Sequence, residues 1–562
     1  MTAMKLEKEF TSAVTAVGVA ICMAMAGCTR IHGDAGAKLQ VDAGTKPPAA
    51  AGARPQVDAW EARRAAAVNR PRTLVYNTDG GDAAHWPTNL AVTPANFASR
   101  RLKYVLGTCA TTVSYCPLSS GFGHFICRKA GEPYAAKTHR GEMYAAGYLF
   151  EQGTDPLEIA TRFCRTNSLE VFVSIRVNDT HDAAGKIDNP DPLFPDFKKN
   201  NPDCLMGRNV SGQRPKFCNW SAVDFAQEKV RAHMRRFVRD LVSNYDVDGI
   251  EYDFNRHAQL FKSVSLGGEA SKAELDLMTG FMRELKGITE EVGRRKNHPI
   301  VIFMRAPDSA GYCKAIGIDL ERWFDEKLVD AWIGSGYFRL NPWSVSAALA
   351  HRYGIKFYAS LDESRVAGVA KRKKLPVLPG RQTPEFYTAR FADAMASGCD
   401  GVYVFNLEGG LLNRVCSVDP RKTDGLATIR FAVGRGSGGY RPWKYLKDGG
   451  RFSNMPKIDP GEPLVVKPGE TCAFSMLVAG DSLKGGMPAV AYALTNLKDG
   501  MKIAFSCNGR RLEPSAAKGG LFTYRLPDGV LKAGTNDFAV EFPADAPPKT
   551  TFNDFSIRIK NR

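Results

Sequence analysis

Eight short apolar runs alternate with helical patterns between residues 73 and 406, and this alternation restricts the fold more than any other feature of the chain. The runs are Thr73–Asn77, Thr111–Tyr115, Leu169–Val177, Val247–Phe254, Ile300–Arg305, Leu328–Ile333, Ile355–Leu361 and Gly401–Asn406. Strands separated by helices predict a parallel sheet covered by helices. Eight such repeats over about 360 residues predict an α/β fold, a (β/α)8 TIM barrel with enlarged loops. A doubly wound sheet is the alternative. The clearest unit reads Y-D-V-D-G-I-E-Y-D-F-N-R-H from Tyr245 to His257. Up to its start, Val230, Met234, Phe237, Val238, Leu241, Val242 and Tyr245 fall on one face of a helix of period about 3.6. Alternation along the strand then sends Asp253, Glu251 and Gly249 inward, and Ile250 and Tyr252 out against helices. Asp253 and Glu251 are expected to share one mouth.

Helix punctuation supports the pattern. Asp155-Pro156-Leu157-Glu158 reads as a capped start, Thr383-Pro384 opens a helix that Gly398 closes, and Met278, Phe281, Met282, Leu285 and Ile288 share a face of a third. Connections into strands near Asp246 and Cys399 take only a few residues, whereas those leaving the third, fourth and seventh strands are long. Length is thus concentrated on the face where such barrels place their active sites.

A chain of 562 residues, 44% of them hydrophobic, is globular and too long for a single ordinary core. Lys5 and Lys8 precede an apolar run from Ala13 to Ala26 that ends in Met25-Ala26-Gly27-Cys28. The run is short for a membrane span, and it resembles a bacterial lipoprotein signal with its lipobox; an ordinary secretory signal is the alternative. That resemblance makes Cys28 the lipidated terminus and, through Thr29, points to the outer membrane. Residues 29–70 are rich in Ala, Gly and Pro and read as a tether, 71–438 as the barrel, and 439–562 as a C-terminal antiparallel β-sandwich. Without Cys22 and Cys28 eleven cysteines remain; Cys109, Cys116 and Cys127, and Cys204 with Cys218, are candidates for one or two bridges in an exported protein. None has C-x-x-C spacing, so no zinc site is expected. The net charge of +17 suits anionic glycans or lipid headgroups, and export disfavours nucleic acid.

Chemistry-bearing residues gather at strand ends. The fourth strand offers Glu251, Asp253 and Arg256, and the seventh ends in Asp362, Glu363 and Arg365. Carboxylates opposed across a mouth, roughly 5 to 10 Å apart, suit glycoside hydrolysis, which needs one protonated acid and one carboxylate. The alternative is that the acids are ion-paired with rim arginines. The third strand ends in Arg176, Asn178, Asp179 and His181, and the first in Asp79. These are expected to bind sugar hydroxyls, with proton transfer or a metal as other uses of Asp179 and His181. Arg176, Arg256, Arg305 and Arg365 would suit sulfate or carboxylate groups on a polysaccharide, or else neutralise neighbouring acids. Trp220, Tyr337 and Trp343 are candidate stacking platforms.

Three phrases resemble the glycosyl-hydrolase-like family 10 barrels of lipoproteins from polysaccharide-degrading bacteria. They are Ser174–Asp182, Asp246–Arg256, and Gly317–Trp323 with Leu328–Asp330. The resemblance implies a carbohydrate-active barrel over roughly residues 72–431, with the strand-four acid at Asp253 and without an organic cofactor. Against the D-G-x-D-x-D-x-E phrase of family 18 chitinases, Asp248 onward departs at Asn255, where their catalytic glutamate would stand, which disfavours their substrate-assisted mechanism. The sandwich is similar to galactose-binding-like modules. The expectation is an exported, lipid-anchored glycoside hydrolase acting on a complex polysaccharide or oligosaccharide, with an anionic one left open by the rim arginines. The alternatives are a non-catalytic glycan-binding lipoprotein and a metal-dependent hydrolase using Asp79, Asp179 and His181.

Overall fold

All eight expected strands form and close on one another. In the computed structural model the described residues are 58–79, 81, 86–117, 122, 127–130, 145–185, 189, 191, 194–207, 215–334, 338–361, 370, 372–380, 383–407, 412, 428–432, 441–456, 458–479 and 488–560. Strands β1 (Leu74–Thr78), β2 (Ala110–Tyr115), β3 (Glu170–Arg176), β4 (Gly249–Asp253), β5 (Val301–Ala306), β6 (Ala331–Gly334), β7 (Lys356–Ser360) and β8 (Gly401–Phe405) form a closed parallel barrel in sequence order. β8 returns to pair with β1, which excludes the doubly wound alternative.

Register stacks the inward residues in levels. Arg176, Asp253 and Arg305 are level on β3, β4 and β5; two residues lower stand Ser174, Glu251 and Phe303, and below those Phe172, Gly249 and Val301. Phe172, Phe303, Tyr358, Tyr403 and Phe405 fill the interior. Gly249 has to be glycine. A Cβ there would lie 2.8 Å from the Phe172 ring and 2.7 Å from the Val301 carbonyl oxygen, closer than carbon atoms pack. The lower end is closed by Arg72, whose Nε donates to Glu170 Oε2 at 2.7 Å and whose Nη2 donates to Oε1 at 2.8 Å.

The helix Lys272–Lys296 starts with the reciprocal Ser271–Glu274 box and ends at Asn297 in the left-handed region. The helix Pro384–Ala396 has proline in its first turn, and Gly398 adopts φ +82° behind it. The Thr383 hydroxyl does not cap this helix; it donates to the Gly380 carbonyl.

The C-terminal region contains β9 (Thr428–Ala432), β10 (Leu464–Val465), β11 (Thr471–Val478), β12 (Ala489–Thr495), β13 (Ala504–Cys507), β14 (Arg510–Leu512), β15 (Ala516–Lys518), β16 (Leu521–Leu526), β17 (Gly534–Glu541) and β18 (Thr551–Lys560). One sheet runs β10-β18-β12-β16-β15 with β9 also on β18, and the other runs β11-β17-β13-β14. Phe474, Phe505, Phe538 and Phe555 pack between them. β9 precedes the boundary expected at 438/439, yet it pairs with the last strand of the sandwich.

The expected disulfides do not form among the described residues. Cys127, Cys204 and Cys218 are free thiols. Cys116, Cys127 and Cys204 are packed as small apolar side chains, and burial pushes the Cys204 and Cys218 thiols up to about 11. No helix among the described residues is long and apolar enough to cross a membrane. Cys28 and residues 29–57 of the expected tether lie outside the described residues, whereas its Ala59–Asn69 stretch forms a helix whose Arg64 pairs with Asp330 at 2.7 Å.

Candidate active site

The C-terminal ends of β1, β3, β4, β5 and β8 bring the expected polar residues together. Asp253 ends β4 and is buried. Its Oδ1 accepts the backbone N–H groups of Asn255 and Arg256, each at 2.9 Å, and its Oδ2 pairs with Arg305 Nη1 at 3.1 Å. Arg305 in turn lies over the rings of Tyr403 and Phe405. Asp253 is therefore sealed by polar groups that bond to it, on the barrel face that carries the long loops.

Glu251 does not share the mouth. It lies one level beneath Asp253, fully buried, and accepts hydrogen bonds from Ser114 Oγ at 2.6 Å, Ser174 Oγ at 2.9 Å and Tyr403 Oη at 2.9 Å, with Asn77 Nδ2 at 3.4 Å. Burial, reinforced by the charge of Asp253, raises its pKa against the pull of these donors. Its place is the floor of the site.

A second group joins β1 to the loop after β3. Arg176 bridges two acids, with Nη2 on Asp79 Oδ2 at 3.1 Å and Nη1 on Asp179 Oδ2 at 2.9 Å. Burial alone would raise Asp79, but Arg176, a hydrogen bond with Asn406, and Arg101 hold it at about 2. Asp179 is likewise buried, yet His181 and Arg176 keep it well below the usual carboxylate range. Asp179 Oδ1 lies 2.6 Å from His181 Nδ1, and His181 Nε2 faces Arg256 Nη2. A carboxylate only accepts and a guanidinium only donates, so the network assigns the ring proton to Nδ1 and makes Nε2 the acceptor. Proton delivery from His181 to a ligand would require Arg256 to move. His257, whose Nδ1 takes the Thr180 N–H at 3.3 Å, is held well below its usual pKa range by burial and by Arg256.

Asp179, His181 and His257 offer ligand atoms within 4.8 Å of one another. Their polar atoms are already directed elsewhere, however: Arg176 lies between Asp79 and Asp179, and Arg256 lies against His181. Two guanidinium groups thus hold the places that the Asp79, Asp179 and His181 metal reading gives to an ion. Asn178 does not face the mouth; its amide ties the Val223 and Gln259 carbonyls at 2.8 and 2.7 Å. Arg176 and Arg305 are engaged by acids of the mouth, the neutralising alternative for the rim arginines. Trp343 is buried beneath Arg339 on the flank of the barrel, and Trp220 stacks on Phe194. Asp362, Glu363, Arg365 and Tyr337 lie outside the described residues.

Residues outside the expected set hold this site in place. Buried Lys198 joins Asp182 Oδ2 at 2.7 Å to the Asp179 carbonyl at 3.1 Å, and Asn406 Oδ1 accepts the Asp79 N–H at 3.0 Å. Asp308 follows β5 and accepts the Leu340 and Asn341 N–H groups at 2.9 and 3.2 Å; burial pushes it up to about 6. Position immediately after a barrel strand was the available signal for Asn406 and Asp308. Lys198, inside Phe194-Pro-Asp-Phe-Lys198, carried none.

Fold and site together define a (β/α)8 barrel whose C-terminal mouth is lined by arginine-bridged carboxylates with a histidine at the surface. No protein-family model matches the chain, and no curated protein matches it. Among solved structures it is similar to α-L-fucosidase isoenzyme 2 from Paenibacillus thiaminolyticus, at 12% identity over 64% of this chain and 51% of that one, TM-score 0.37. It is similar to the glycoside hydrolase domain of PgaB (BpsB) from Bordetella bronchiseptica, at 11% identity over 59% and 94% of the two chains, TM-score 0.36. A third is the family 18 N-acetylglucosaminidase from Paenibacillus barengoltzii, at 12% identity over 62% and 99%, TM-score 0.33. This chain spans about half the length of the fucosidase. All three are glycoside hydrolases by name, but likenesses this distant transfer neither residue nor activity. No sequence family supports the family 10 assignment specifically.

Proposed function

We propose that the chain is an exported, lipid-anchored glycoside hydrolase of the family 10-like type, cleaving a complex polysaccharide or oligosaccharide with two carboxylates. One observation carries the reading. Asp253 ends β4 on the face with the long loops, paired with Arg305 and oriented by two backbone N–H groups, amid polar rather than aliphatic neighbours. Such a carboxylate is preorganised to stabilise or attack a cationic sugar centre. The second acid, which must arrive protonated, we assign to Glu363 or Asp362 beyond β7, three strands from β4 around the barrel. Glu251 supports Asp253 from beneath. Because Arg176 and Arg305 are spent on the mouth's own acids, the reading does not require an anionic sugar there.

A non-catalytic glycan binder is the second reading. It is favoured by one fact: Asp79, Asp179 and Asp253 each pair with arginine, and Glu251, whose pKa burial raises, is sealed below them. A panel of plant and algal glycans, assayed for new reducing ends, separates the two. The enzyme reading expects release by the native chain and a loss of about 10²–10⁴-fold in D253N and in E363Q or D362N. Binding without release by any of these proteins establishes the binder, and equal turnover by D253N removes Asp253 from the chemistry.

A further inference from the structure

A cleft of about 630 Å³ separates the barrel flank from the sandwich, and no residue of the mouth lines it. Arg339 and Trp343 come from the segment after β6, Arg390 and Asp393 from the helix Pro384–Ala396, Ser453 from the segment that follows the barrel, and Phe474 from β11. The guanidinium carbons of Arg339 and Arg390 lie 4.1 and 5.6 Å from the centre of the Trp343 ring. Trp343 and Asp393 are each more than nine-tenths buried. Three buried polar atoms on this lining, Trp343 Nε1, Asp393 Oδ1 and Ser453 Oγ, have no hydrogen-bond partner among the described residues. The lining thus offers a ligand an indole N–H, a hydroxyl and a carboxyl oxygen in one cleft. Burial pushes the Asp393 carboxyl up to about 8, against the pull of Arg390 and Arg339.

We propose that this cleft is a second carbohydrate site, which takes an acidic monosaccharide unit, a hydroxylated ring bearing a carboxylate. Each part of that ligand has a counterpart. Two guanidinium groups suit the carboxylate. The indole N–H and the Ser453 hydroxyl donate to ring or hydroxyl oxygens, while Asp393 Oδ1 accepts a sugar hydroxyl. Leu477 of β11, half-buried on the lining, offers an apolar wall to the C–H face of the ring. The volume falls within the range of small-molecule sites, about 300–1,000 Å³. The inference goes beyond the proposed hydrolysis and is independent of Asp253.

Calorimetric titration of the full chain at low salt with D-glucuronate, D-glucose and inorganic sulfate tests it. W343F keeps an aromatic ring and deletes the N–H, and S453A deletes one hydroxyl. Saturable glucuronate binding is expected, at least tenfold tighter than glucose or sulfate, weakened about tenfold in each variant and unchanged in D253N. Sulfate binding as tightly as glucuronate, glucose binding equally well, absence of saturable binding, or wild-type affinity in both W343F and S453A would each overturn the proposal. Loss of binding in D253N would move the site to the barrel mouth and overturn it as well.

Discussion

The three-residue bridge Asp79–Arg176–Asp179 shows how charge is managed at the mouth. Asp79 is about one-fifth exposed, yet its folded pKa of about 2 lies below the ordinary aspartate value of about 3.9, so the unfolded chain binds the proton more readily. The stabilisation is therefore fully present above about pH 4 and is lost as pH falls towards 2. A shift of this size corresponds to about 2 kcal/mol. Denaturant titrations of the native chain and D79N, compared at pH 5 and pH 2, should show a native loss larger than that of D79N by about this amount. Equal losses would mean that the bridge contributes nothing to folding. The residue types of this bridge were legible in the sequence, because polar side chains directly after an apolar strand have few places to go except the mouth. Their pairing was not legible, since Asp79 and Arg176 are 97 residues apart and meet only when the barrel closes.

At the scale of elements, one glycine sets how β3 and β4 fit together. Phe172 fills the barrel at the level of Gly249, and a methyl group on Gly249 would enter the ring. G249A is expected to cost about 1–3 kcal/mol by overpacking, and F172L should relieve part of that cost. In a double-mutant cycle read by urea midpoints, G249A with F172L should lose at least about 1 kcal/mol less than the sum of the single variants. Additive losses would show that the glycine is required by the backbone rather than by the ring. The eight strands were legible because runs of branched and aromatic residues separated by helical patterns have few parallel solutions. Burial within an element was harder to foresee. Glu251 and Asp253 stand on the same face of β4, but only the closed barrel shows one to be floor and the other rim. The expected disulfides failed for a related reason: cysteine spacing does not say which thiols the fold brings into bonding geometry.

For the whole molecule, the sandwich is joined to the barrel by more than a linker. Every residue from Phe386 to Ala394 on the helix Pro384–Ala396 is buried, and a helix buried all round needs cover on both sides. The barrel supplies one side through β8. The other comes from the sandwich, since Ala389 belongs to the same apolar cluster as Phe431 of β9 and the phenylalanines of the two sheets. β9 itself pairs with β18, at the far end of the chain. The boundary expected at 438/439 marks where helical patterns stop and not where packing stops. A chain ending at residue 438 would keep β9 and lose β18, baring an unpaired strand edge and uncovering the helix; the Phe431 ring alone would forfeit about 2 kcal/mol. Residues 58–438 are therefore expected to aggregate on expression or to melt well below the full chain, judged by size-exclusion chromatography and thermal unfolding. A soluble monomer of residues 58–438 with the full chain's melting temperature would show instead that the sandwich is an appendage, and that the helix Pro384–Ala396 needs no cover beyond the barrel.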